Sequence, residues 1–166
     1  MAADGDSQAA IMEAAAQAFA GVLPRGARLI GIDLGTKTLG LALSDVTRSI
    51  ASGLVTLPRT RFGIDAERLL ALAAEHGIGG FVIGLPFNLD GSQGPRAQAT
   101  RAFARNLGKL TRLPILLWDE RLTTAAAERV LLEADASRKR RAQVIDKVAA
   151  TLILQSALDR LKLFGT

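Results

Sequence analysis

The stretch that most constrains the fold is 28–58, where three short apolar segments follow one another with links too short for a crossover. Arg28-Leu29-Ile30-Gly31-Ile32-Asp33 reads as a buried strand, and residues 34–37, with Gly35, as a tight turn. From Leu39 to Leu43 the pattern alternates, with Leu39, Leu41 and Leu43 on one side and Gly40, Ala42 and Ser44 on the other. A third strand is predicted over 51–57, closed by Pro58. Parallel neighbours need a long crossover, so these three strands cannot all be parallel, and the first two form a hairpin.

Beyond Pro58 the apolar period changes. Ile64, Leu69, Leu70, Leu72 and Ala73 predict a helix over 64–76, ended by Gly77. Phe81-Val82-Ile83 is a short buried strand, stopped by Gly84 and Pro86. A helix over 95–108 opens on Pro95, and Ile115-Leu116-Leu117-Trp118 forms the last strand. Helices are predicted over 123–134, capped by Thr123, and over 142–162, the latter burying Val144, Val148, Leu152, Ile153 and Leu158. The order gives an α/β fold: a five-stranded mixed sheet, three antiparallel strands followed by two parallel crossover strands, flanked by helices. Residues 1–25 read as a loosely attached extension holding a short helix over 7–20, and residues 26–166 as one domain.

Composition excludes several chemistries. The chain has no cysteine and one histidine, which removes disulfides, thiolate zinc sites, iron–sulfur clusters, a cysteine nucleophile and any multi-histidine metal site. Its 21 bases and 16 acids are unevenly spread. Residues 1–24 hold three acids and no base, leaving a body with 21 bases against 13 acids. Such a body suits contact with a polyanion and equally suits an ordinary solvated surface. No secretory signal and no long apolar run is visible, so a cytoplasmic protein that does not enter the membrane is expected.

The acids fall at informative places. Asp33 ends the first strand, Asp119 and Glu120 follow the last, and Asp146 lies near the start of the final helix. Strand ends and helix starts of α/β folds converge on one edge. Carboxylates gathered there either share a proton or surround a cation, and an all-oxygen set favours Mg²⁺ or Mn²⁺. The alternative is that each acid caps a helix or pairs with a base. Asp119 and Glu120 are not separated by sequence: alternation turns Asp119 away from the face of Trp118, while Glu120 has the longer reach.

Other polar elements also carry two readings. Gly35-Thr36-Lys37 after Asp33 can approach a phosphate through backbone N–H groups, or simply turn a hairpin. Asn88, Asp90 and Gly91 form a loop after a strand, with Asn88 either touching substrate or holding the turn. Arg121 can pair with either Asp119 or Glu120 or steady a phosphate. Arg138-Lys139-Arg140-Arg141, placed just before the last helix, opposes the helix dipole, so phosphate contact explains it better than stability does; a solvated loop is the other reading.

Four segments in order carry a resemblance: Gly31-Ile32-Asp33-Leu34-Gly35-Thr36-Lys37-Thr38-Leu39-Gly40-Leu41-Ala42-Leu43-Ser44-Asp45; Val82-Ile83-Gly84-Leu85-Pro86 with Asn88 and Gly91; Asp119-Glu120-Arg121-Leu122-Thr123-Thr124; and Asp146-Lys147-Val148-Ala149-Ala150 with Ile153-Leu154. Over about residues 28–160 the chain resembles the YqgF-type pre-16S rRNA nucleases, Holliday-junction-resolvase-like members of the RNase H-like superfamily. The resemblance implies an acidic, metal-binding catalytic site of Asp33, Glu120 and Asp146, flanked by Asp119 and Arg121, with one or two Mg²⁺ or Mn²⁺ ions. It implies hydrolysis of RNA phosphodiesters in maturing the 5′ end of 16S rRNA, with precursor 16S rRNA in a small-subunit precursor as partner. Lys37, Arg121 and residues 138–141 become candidates to hold the phosphate backbone, and the protein is expected as a monomer or weak homodimer. Two alternatives share these features: an endonuclease acting on four-way DNA junctions, and a non-catalytic RNA-binding ribosome-assembly factor. A nucleotide-using enzyme of the actin type fits poorly, because it needs two such domains.

Overall fold

A computed structural model describes residues 14–88, 90–122 and 138–165, the last stretch with its side chains from Lys147 onward. The predicted helix over 123–134 and the side chains of residues 138–146, Val144 and Asp146 among them, lie outside that description.

A helix over 14–22, α1, precedes β1 (Arg28–Leu34), β2 (Thr38–Ser44), β3 (Ala51–Pro58), α2 (Phe62–His76), β4 (Ile78–Leu85), α3 (Pro95–Gly108), β5 (Ile115–Asp119) and α4 (Arg138–Leu161). The strands form one sheet in the order β3-β2-β1-β4-β5. β2 pairs antiparallel with β1 and β3, whereas β4 pairs parallel with β1 and β5. The mixed sheet read from the short links is therefore present. Because β2 reverses direction between them, β3 runs the same way as β1, and the carboxyl ends of β1, β3, β4 and β5 share one edge.

Alternation along β1 separates two cores. Ile30, Ile32 and Leu34 face Leu39 and Leu41 of β2 and the inner sides of α2 and α3, including Leu69, Ala73, Phe103 and Leu107. An edge-to-face contact of Phe62 with Phe103, centroids 5.4 Å apart, joins those two helices. Leu29 instead faces Val82, Leu116 and Trp118, covered by Ala150, Ile153, Leu154, Ala157 and Leu158 of α4. The alanines of that face escape a reading based on large side chains, and Val148 and Leu152 are only half-buried. They matter because α4 lies very close to the sheet: a Cβ on Gly31 would stand 2.7 Å from Leu154 Cβ and 3.1 Å from the Ala150 carbonyl.

Two further boundaries differ from expectation. β4 starts at Ile78, three residues before the apolar run, because Gly79 and Gly80 lie under Ala27 and Phe19 and are fully buried strand positions. The basic run Arg138-Lys139-Arg140-Arg141 forms the first turn of α4 rather than a loop before it, in keeping with the good helix propensity of Arg and Lys. The expected loose attachment does not hold for residues 14–22: Ala16, Phe19 and Ala20 are buried in the α4-side core, although Ala15 is exposed.

Candidate functional site

Asp33 is the next-to-last residue of β1 and is 1% exposed. Alternation puts it on the α4 side of the sheet, with Leu29 and Gly31. Its cross-strand partner on β2 is Gly40, which has no side chain to fill the space. On its other flank, the pairing of Ile32 with Ile83 brings Gly84 of β4 level with it. The local sequence thus surrounds a buried carboxylate with glycine.

Glu120 follows β5 in a short 3-10 turn, Glu120–Leu122. Its side chain lies over Gly84: a Cβ built there would meet Glu120 Oε1 at 3.0 Å and Cγ at 3.2 Å. Asp33 and Glu120 therefore occupy the same face, on either side of one glycine. Asp119 is differently employed. It pairs in register with Leu85, and its carboxylate accepts hydrogen bonds from the Arg121 N–H at 2.9 Å, from Nε at 3.1 Å and from Nη2 at 2.7 Å. The structure thus separates the two adjacent acids: Asp119 fastens Arg121, and Glu120 reaches the Asp33 face. The indole N–H of Trp118 donates to Ser156 Oγ at 3.2 Å, and that hydroxyl donates to the Leu122 carbonyl at 3.1 Å. These bonds hold the turn carrying Glu120 against α4.

The Arg121 guanidinium stacks on the Phe87 ring, 4.3 Å from its centroid, and Nη1 lies 3.1 Å from where a Cβ of Gly91 would be. Hydrogen bonding to Asp119 raises its pKa further above the usual arginine value. Phe87 was not legible as a functional residue; an aromatic between a strand end and a polar loop is the signal that could have found it. Gly91 has φ +85°, which a side chain rarely adopts, and a Cβ there would also press on the arginine.

The remaining candidates sort as follows. The Asn88 side chain donates to Ser92 Oγ at 3.0 Å, and its backbone N–H bonds the Ser92 carbonyl at 2.9 Å, so it holds the turn. The Gly35 amide donates to the Thr38 carbonyl at 2.9 Å, so the hairpin uses the group expected to face a phosphate. Thr36 and Lys37 are exposed beside it. Asp146 lies in α4, one turn before Ala150, on the helix that covers the Asp33 face. Among the described residues no three carboxylate or imidazole side chains converge, and the side chains of Asp146 and residues 138–141 are outside that group. Arg59 was missed by sequence reasoning. Its Nη1 donates to the Gly35 carbonyl at 2.8 Å and its N–H to the Lys37 carbonyl at 2.9 Å, which puts it against the turn that follows Asp33.

Comparison with known proteins agrees with this architecture. A protein of Rhodobacter capsulatus described as "Putative pre-16S rRNA nuclease" is 62% identical over 147 residues, covering 89% of this chain and 92% of that protein. Proteins with the same description from Paracoccus denitrificans and Rhodopseudomonas palustris (strain BisB5) are 60% identical over 149 residues and 64% over 137. Those matches cover 90% and 82% of this chain, and 94% and 85% of the respective relatives. T. thermophilus RuvC, solved in complex with Holliday junction substrate, superposes with a TM-score of 0.50 at 14% identity, covering 76% of this chain and 91% of that one. The yeast mitochondrial Holliday junction resolvase does so at 0.50 and 11%, covering 90% and 85%. At such identities the likeness is one of fold, the RNase H-type fold of RuvC-like resolvases. The sequence pattern of the RuvX family, described as Holliday junction resolvase, matches residues 27–160, and the chain belongs to that family.

Proposed function

We propose that this chain is a metal-dependent endonuclease that hydrolyses RNA phosphodiester bonds in maturing the 5′ end of 16S rRNA. The observation that carries this reading is the placement of buried Asp33 and half-buried Glu120 on one face at the carboxyl edge of the sheet, either side of Gly84. The descriptions of relatives near 60% identity support the same substrate class.

The donor set fits a hard divalent cation. It consists of carboxylate oxygens on a face lined by Gly40 and Gly84; the chain has no cysteine, and its one histidine, His76, ends α2 just before β4 begins. Asp33 and Glu120, joined by Asp146 from α4, are the residues that would hold Mg²⁺ or Mn²⁺, as one ion or two. Such an ion supplies Lewis-acid activation of water and neutralises charge at the phosphate. The protein's own groups do the rest. Arg121 donates to phosphate oxygens from a guanidinium that Asp119 and Phe87 hold in place. Trp118 and Ser156 keep the Glu120 turn from drifting. Lys37, Thr36 and the basic first turn of α4 add further phosphate contacts, and the protein works as a monomer or weak homodimer in the cytoplasm.

The test is cleavage of a precursor RNA spanning the 5′ junction, with Mg²⁺ or Mn²⁺. Wild type cuts it, chelation stops the cut, and Asp33→Asn and Asp146→Asn abolish most of it without unfolding the protein. Undiminished cleavage by both variants rejects the assigned site. A four-way DNA junction assayed beside the RNA examines the second reading, which the family description favours. Preferential cleavage of the junction would make the protein a DNA resolvase using the same acids.

A further inference from the structure

We propose that Lys37, Arg59 and Arg61 form a phosphate-binding arm that carries single-stranded RNA away from Asp33 across the β2 and β3 ends of the sheet. The inference rests on the nuclease reading above and assigns a path that the acidic site alone does not define. β3 runs in the direction of β1, so Arg59 and Arg61, which follow its last residue Pro58, emerge on the edge that holds Asp33. Thr38 pairs with Pro58, which brings Lys37 beside Arg59, and the two bonds from Arg59 to the Gly35 and Lys37 carbonyls fasten the segments together. β1 and β3 lie two strand spacings apart, about 10 Å, a distance covered by two nucleotides of one strand rather than one. Arg121 stands on the opposite side of Asp33, after β5. The edge thus presents bases, acids and a base in sequence.

Stability accounts for Arg59 in part, through its bond to the Gly35 carbonyl, but not for Lys37 or Arg61. Arg61 precedes the first turn of α2, where positive charge opposes the helix dipole. Lys37, Arg59 and Arg61 are all exposed, and neither Lys37 nor Arg61 has an ion-pair partner among the described residues. Three positive charges gathered against the single carboxylate of Asp65 leave an excess, and a polyanion turns that excess into affinity. The segment is also held ready for a ligand. Buried Asp65 accepts the Thr60 N–H at 3.1 Å and the Thr60 hydroxyl at 2.8 Å, fixing the residue between the two arginines. No reorganisation of the backbone is then needed to meet a phosphate chain.

The experiment measures binding of a single-stranded RNA oligonucleotide spanning the precursor 5′ junction, by fluorescence anisotropy in EDTA, across a salt series. Wild type, Arg61→Gln, Arg61→Lys and the double variant Arg59→Gln/Arg61→Gln are compared. Each phosphate contact removed from a single strand lowers the slope of log K against log salt by about 0.7, so Arg61→Gln loses about 0.7 and the double variant about 1.4. At about 0.1 M salt the double variant binds roughly tenfold more weakly, and Arg61→Lys keeps nearly the wild-type slope. Melting curves show Arg61→Gln no less stable than wild type, which separates lost contact from lost fold. Wild-type affinity and slope in both Gln variants overturn the arm. If wild type cleaves RNA while those variants bind like it, only this inference fails; if wild type neither binds nor cleaves RNA, the nuclease reading fails with it.

Discussion

The two faces of the sheet solve opposite problems. The side toward α2 and α3 is filled by large aliphatic residues, with Ile30, Ile32, Leu39, Leu41, Leu69 and Ile83 fully buried. The side toward α4 is built from glycine where it approaches the acids: Gly31 lies under Ala150 and Leu154, Gly84 under Ile153 and Glu120, and Gly40 pairs with Asp33. The first face stabilises the domain by burying large aliphatic side chains. The second gives up side-chain volume so that a helix can lie close and two carboxylates, buried Asp33 and half-buried Glu120, can share one face. One sheet thus separates folding from chemistry by alternation along the same strand: Ile32 belongs to one face and Asp33 to the other.

Substitutions on the two faces should therefore have different signatures. Asp33→Asn changes one atom on the chemical face and should lower cleavage of precursor RNA about a thousandfold, with a melting curve close to wild type. Ile32→Ala, one residue away on the other face, should reverse that pattern. A denaturant titration should show about 3 kcal/mol of lost stability, with cleavage per folded molecule retained. If Ile32→Ala also silences the folded enzyme, the faces are not independent.

Gly84→Ala tests the boundary between the two roles. The new methyl would stand 2.5 Å from Ile153 Cδ1 and 3.0 Å from Glu120 Oε1, both at the ends of movable side chains. We expect a stability loss of about 1 kcal/mol, at the low end for overpacking, together with a fall in cleavage larger than that loss explains, because Glu120 must move. The smallest effect is expected at an acid remote from both faces. In the β2–β3 turn, the Thr47 hydroxyl and the N–H groups of Ile50 and Ser49 donate to Asp45 and hold its pKa well below the ordinary 3.8. A depressed folded-state pKa contributes stability that is present above the unfolded value and is lost as pH falls through the folded one. Melting temperatures measured downward from about pH 5 should therefore fall less steeply in Asp45→Asn than in wild type, with cleavage at neutral pH unchanged.

Much of this organisation was readable in advance. The lengths of the links between 28 and 58 settled the antiparallel start, since a chain cannot make a parallel crossover in so few residues. The extent of β4 was not readable, because Gly79 and Gly80 look like breakers until Phe19 and Ala27 are seen packed on them. The buried face of α4 was read only in part, for a related reason: Ile153 and Leu158 are buried as expected, but Ala149, Ala150 and Ala157 were not named. Alanine carries little weight in an apolar pattern, yet close approach to Gly31 demands it. Asp33 and Glu120 could be nominated from strand ends and from family resemblance. Alternation already turned Asp119 away from the face of Trp118, but which of the two acids pairs with Arg121 was left open by the adjacent letters.

Local periodicity and link length, which depend only on neighbours in the chain, were enough to define the elements, the mixed sheet and the set of acids near strand ends. Which acid shares a face with Asp33, why Gly84 stands beside it, and how Arg59 reaches back to Gly35 came from contacts between residues tens of positions apart. Such contacts depend on strand order and on the depth at which α4 settles, and both emerge only when all the layers pack at once.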